Sequence, residues 1–191
     1  MRKFALLSML AIVALLGCTS TQTTGRRTGE VAQPIKKIYV VAQDPLRASQ
    51  ATPRISSVTQ ASVELVYREA LTVIESRLPV VFALNDIDAK VLVNRGQTPK
   101  VDPREASFVL TLSLTGGTVH SNGGRSFDVG ASIRDISTGK TIWVGAAKFT
   151  KPSVISISDK SGEEFAQSLL QQMAKDGVIS LPGKEVRMPS K

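Results

Sequence analysis

The chain has little of what most active sites are built from. Its 191 residues include one Cys, one His and one Trp, and aromatic residues make up only 5%. One Cys cannot form an internal disulfide, and a four-ligand zinc site of Cys and His is out of reach within one chain. There is no G-x-x-x-x-G-K-[ST] phosphate loop and no G-x-S-x-G nucleophile elbow. Apolar runs are short as well: the longest, Phe4 to Gly17, falls below the roughly 20 residues that span a bilayer. A length of this order suits one ordinary domain with tails. The charge is what the chain has in excess, at a formal +8. A basic balance usually points to nucleic acid or an anionic membrane, and the amino terminus decides between them.

Met1-Arg2-Lys3 is a cationic start, and the apolar run that follows carries Ser8 as its clearly polar residue. The run then ends in Leu15-Leu16-Gly17-Cys18. A charged start, an apolar stretch of this length and a small residue before a cut are the parts of an export signal. The tetrapeptide resembles the lipobox of bacterial lipoproteins, with Leu16 bulkier than the small residue common there. That resemblance implies cleavage before Cys18 and acyl chains on it. Each buried CH₂ adds ~0.8 kcal/mol of membrane affinity, so several chains hold firmly. Thr19 rather than Asp after Cys18 implies, by the sorting habit of enteric lipoproteins, the outer membrane with the domain facing the periplasm. Removal of residues 1–17 leaves 174 residues and a charge of +6, because Arg2 and Lys3 go with the signal. Outside the cytoplasm, nucleic acid is not the expected partner. Membrane lipid, cell-wall polymer or an envelope protein is.

The expected organisation is a signal over 1–17, a flexible tether over 18–34, an α+β domain over 35–181 and a polar tail over 182–191. The tether is rich in Thr, Gln, Gly and Arg and offers little apolar surface to offset the entropy of ordering it. Its typical reach would be ~20–25 Å. Ile35 to Ala42 reads as a strand and Gln43 to Arg54 as a loop. Ser57 to Gln60 has capping-box spacing, and Val63, Val66, Tyr67, Ala70, Ile74 and Leu78 recur at helical intervals. Pro79 is expected to stop this helix. Val80 to Leu84 then reads as a strand, and Asn85 to Val93 as a short helix. Phe108 to Thr115, Phe127 to Ile133 and Thr141 to Phe149 alternate with a period of two and are separated by turn residues. A last helix is expected from a capping box at Ser161, ending near Gly177. The sum is a mixed five-stranded sheet, a β-α-β unit followed by an antiparallel meander and a helix, with helices on one face.

Few residues stand out for chemistry. His120 lies beside a hairpin turn with Ser121 and Asn122 and reads as a solvated loop residue. Asp86 and Asp88 lack the further oxygen ligands of a calcium loop. No catalytic residue, metal or cofactor is expected. The basic residues Arg26, Arg27, Lys36, Lys37, Arg47 and Arg54 gather near the tether. They would serve solubility, or contact lipid headgroups or wall phosphate.

One segment carries a resemblance. Asp135-Ile136-Ser137-Thr138-Gly139-Lys140-Thr141-Ile142-Trp143 resembles a hairpin in a group of envelope lipoprotein families. These include the TolB amino-terminal domain, CsgG and LpoB. Ala106-Ser107-Phe108-Val109-Leu110 is similar to their Ala-Asp-[Phe/Tyr]-Val-Leu strand start, with Ser107 in place of Asp. The resemblance implies a non-enzymatic scaffold for protein interaction or assembly in wall synthesis or envelope biogenesis. A pore or transport accessory, or a binder of anionic lipid or wall polymer, is the alternative. Trp143 is either a core residue, its N–H needing a partner if buried, or the candidate partner contact.

Overall fold

The computed structural model describes residues 20–31, 33–43, 57–94, 99–120, 124–151 and 159–183. Eight elements follow in order: strands β1 (Ser20–Arg27) and β2 (Lys37–Gln43), helix α1 (Ser57–Leu84), strands β3 (Asp88–Asn94), β4 (Phe108–Val119), β5 (Arg125–Asp135) and β6 (Thr141–Lys151), and helix α2 (Asp159–Lys175). The class is α+β. One mixed sheet has the order β1-β6-β5-β4-β2-β3. β2 runs parallel to both of its neighbours, and the remaining pairs are antiparallel.

The sheet has six strands, not the expected five, and the difference has three physical causes. First, Val80 to Leu84 is not a strand. α1 continues through Pro79, because Leu78, Val81 and Phe82 are all buried in the core. That burial offsets the hydrogen bond that proline cannot donate. Second, the expected short helix after Asn85 is β3. Asp86 takes a positive φ of 60°. Ile87 N–H bonds to Phe82 O and Asp86 N–H to Ala83 O, each at 3.0 Å. This is a Schellman ending, with Asp in the place glycine usually takes. It turns the chain directly into a strand lying parallel to β2.

Third, the expected tether is ordered along much of its length. Ser20 to Arg27 pairs with β6 at eight consecutive positions, from Ser20 opposite Thr150 to Arg27 opposite Trp143. Thr28 and Gly29 then donate to Ile142 O, and Ile35 N–H donates to Val178 O. A polar strand shows no apolar stripe, so periodicity cannot reveal it. Backbone pairing along an edge holds it instead. Thr23 Oγ1 adds a 2.7 Å hydrogen bond to Ser168 Oγ on α2.

α1 and α2 pack against each other and cover one face of the sheet. The inward residues alternate as expected: Leu110 and Leu112 on β4, Phe127, Val129, Ala131 and Ile133 on β5, Ala147 and Phe149 on β6. Positions between them, such as Val109, Thr111 and Val144, are only partly covered. Phe127 stacks on Phe149 with ring centres 4.8 Å apart and meets Tyr67 of α1 edge-on at 5.6 Å. Gly162 brings α2 against α1: a Cβ there would lie 2.3 Å from Val73 Cγ1. α2 starts at Asp159, two residues before the expected capping box, and Ser161 is buried inside it. Asp159 instead pairs with Arg77 of α1. Gly177, with φ of 71°, ends α2 in the same motif that ends α1, as Val178 N–H bonds to Met173 O.

Candidate functional site

One end of the sheet gathers most of the features singled out above. Register places Arg27, Trp143, Ile133, Leu110, Val40 and Val91 in one row across all six strands. The chain segments that leave the strands beyond this row surround an open groove of about 970 Å³. Its charged lining comes from three segments: Arg27, Glu30, Lys36 and Lys37 from the β1–β2 connection, Arg104 and Glu105 before β4, and Asp135 at the end of β5. Four cations face three carboxylates, so the groove is mixed in sign.

Two local structures shape it. The first is the turn of the Asp135–Trp143 segment. Asp135 Oδ1 accepts from Ser137 N–H at 2.8 Å, from Ser137 Oγ at 2.7 Å and from Thr138 N–H at 3.2 Å. These donors, the Ser137 hydroxyl above all, hold the Asp135 carboxyl below its ordinary 3.8. Gly139 takes a φ of 68°, as an Asp-to-Gly turn requires. Arg134 Nε donates to Gly139 O at 2.9 Å, and Ile136 N–H ties the turn to Ser107 O. The motif that carries the family resemblance is therefore a turn device that fixes the start of β6.

The second is a cluster on the outer face of β2. Tyr39 Oη donates to Glu105 Oε2, and Lys90 Nζ donates to the same oxygen at 2.9 Å. Lys90 also lies 5.6 Å from the Tyr39 ring centre, within cation–π range. Asp102 N–H donates back to Tyr39 Oη at 3.3 Å. The Tyr39 hydroxyl first and Lys90 second hold the Glu105 carboxyl below its ordinary 4.5. The Tyr39 phenol is raised, chiefly by the same hydrogen bond, and Lys90 is raised by Glu105. The cluster clamps the loop before β4 onto the sheet. Sequence reading missed it, since its three residues are 15 to 66 positions apart.

Trp143 takes the first of the two roles its sequence position allows. It is fully buried, and its indole N–H donates to Asp176 Oδ2 at 2.7 Å. Gln172 Nε2 bonds both oxygens of the same carboxylate. A ring enclosed in this way offers nothing to an outside partner, so of the two alternatives, core residue or partner contact, the described structure has Trp143 as core. The slot that takes it is made by two glycines. Gly25 and Gly145 face each other in register, and a Cβ on either would lie within 2.5 Å of the indole.

The other sites scatter. His120 is exposed, its backbone N–H closing the β4–β5 hairpin onto Gly124 O, while Ser121 and Asn122 lie outside the described residues. Asp88 is 3.9 Å from Lys37 Nζ on the strand rim. Cys18, Arg47 and Arg54 also lie outside the described residues. Among the described residues no three His, Cys, Asp or Glu side chains gather as metal ligands, and no helix is long and apolar enough to cross a membrane.

No family model matches the chain, and no curated protein does. Solved structures with partial likeness include a PelC dodecamer from Paraburkholderia phytofirmans, 16% identical over 80% of this chain and 95% of that one, with a TM-score of 0.44. Another is the lipoprotein GNA1162 from Neisseria meningitidis, 17% identical over 74% of this chain and 99% of that one, with a TM-score of 0.39. A third is a PDZ domain protein from Parabacteroides distasonis, 10% identical over 88% of this chain and 39% of that one, with a TM-score of 0.40. Likeness at this level says nothing of activity or partner, and the resemblance to the TolB, CsgG and LpoB group stays one of two short motifs.

Proposed function

We propose that this is a lipid-anchored, non-enzymatic protein of the bacterial cell envelope that acts by binding a protein partner. The observation that carries the reading is the order of parts at the amino terminus. A cationic start, a short apolar run and Leu15-Leu16-Gly17-Cys18 follow one another, as the logic of export signals requires. Acyl chains on Cys18 would attach the domain to the outer membrane. The open groove fits a macromolecular partner better than a small substrate. It is broad and mixed in charge, whereas small-molecule sites enclose their ligand.

Membrane fractionation tests the anchor. The native protein is expected with the membranes and Cys18→Ser in the soluble fraction, and a Cys18→Ser protein still in the membranes would overturn it. Crosslinking in cells followed by mass spectrometry, with a photoreactive residue at Arg104, tests the partner. An envelope protein whose yield drops with Lys36→Glu supports the reading; recovery of lipid-processing enzymes alone would favour transport instead.

A further inference from the structure

We infer that the domain stands directly on the membrane by the first strand of its sheet, with the groove held away from the lipid. This rests on the lipid anchor at Cys18 and adds an orientation to it. Thr19 alone separates Cys18 from Ser20, the first residue of β1. Two Cα steps of ~3.8 Å limit that separation to about 8 Å, so a tether of 17 residues is not what joins lipid to domain. β1 is pinned by its eight paired positions and by the Thr23–Ser168 bond. The acyl group would thus pull on a rigid edge.

Register identifies what lies beside that point. Ser20, Thr150, Ser126 and Thr118 form one row across β1, β6, β5 and β4. Arg125 is set opposite Lys151 at this same end. The lipid-facing surface is therefore the end of the sheet at this row. The row through Arg27 and Trp143 lies seven residues away along β6, which is about 23 Å at ~3.3 Å per residue. Arg26, Arg27, Lys36 and Lys37 then face the aqueous space, not headgroups.

Energy transfer from the protein to headgroup acceptors reads this orientation. The lipidated full chain, in vesicles of phosphatidylethanolamine and phosphatidylglycerol, would carry a donor dye at Thr118→Cys or at Lys140→Cys. Both positions are exposed, and acylated Cys18 does not react with the label. Transfer from position 118 is expected to exceed that from position 140 several-fold. Equal or reversed transfer overturns the orientation. Inserting ten Gly and Ser residues after Thr19 adds about 16–19 Å of typical reach and is expected to lower transfer at 118; no change would overturn the direct mounting. Failure of the protein to stay on the vesicles, with Cys18→Ser behaving identically, marks instead a failure of the anchor itself.

Discussion

The indole N–H of Trp143 on β6 donates to the carboxylate of Asp176, the residue that follows the last turn of α2, at 2.7 Å. This bond joins the edge of the sheet to the end of a helix, and the indole lies over two glycines on adjacent strands. A tether-like sequence becomes a strand here because Gly25 leaves room for that ring.

Removing the acceptor should leave a buried donor without a partner. Asp176→Ala is expected to lower the unfolding free energy by ~1–3 kcal/mol. Trp143→Ala, which also opens a cavity, should cost ~3–5 kcal/mol. Urea denaturation followed by circular dichroism checks both, and an Asp176→Ala protein as stable as the native one would show the bond to be idle.

Filling the slot should act in the same direction by a different route. Gly145→Val and Gly25→Val would each push the indole aside, an overpacking cost of typically ~1–3 kcal/mol. Near-ultraviolet circular dichroism should report the change in tryptophan environment. Hydrogen exchange should show Thr21 to Arg27 losing protection before β4 and β5 do.

Pro79 gives a prediction of opposite sign. It sits within α1, where a proline interior to a helix costs up to ~3 kcal/mol relative to alanine. Its neighbours Leu78 and Val81 are buried whichever residue stands at 79. Pro79→Ala should therefore raise the melting temperature, and a fall would mean that the proline ring is needed for packing.

Acid should weaken the fold through three carboxylates. Glu105, Asp135 and Asp159 are all held below their ordinary values, by the Tyr39 hydroxyl, the Ser137 hydroxyl and Arg77 respectively. A group lowered in the folded state contributes stability above its unfolded value and loses it as pH falls through the folded one. Stability should therefore decline as pH drops below the ordinary 4.5 of Glu and 3.8 of Asp. Tyr39→Phe removes the largest cause at Glu105, so its carboxyl should titrate higher, as carbon-13 NMR of labelled glutamate would show. Tyr39 and Lys90 are raised, so what they contribute lasts through neutral pH and is lost only on the alkaline side of their ordinary 10.0 and 10.5.

The sequence by itself determined the elements whose own pattern carries the reason for them. Phe127, Val129, Ala131 and Ile133 alternate because one sheet face is buried, and Tyr67, Ala70, Ile74 and Leu78 recur because one helix face is. Gly139 and Gly177 mark a turn and a helix end because both need positive φ. The apolar run before Cys18 is legible for the same local reason. Tertiary structure alone decided the rest. β1 exists through pairing with a strand more than a hundred residues away, which leaves no period in its own residues. α1 passes Pro79 because the burial of Val81 and Phe82 outweighs a missing hydrogen bond. Trp143 became core, and not contact, because Gly25 and Asp176 happen to meet it. The Tyr39–Lys90–Glu105 cluster and the groove are likewise products of distant segments brought together, and no spacing in the chain could announce them.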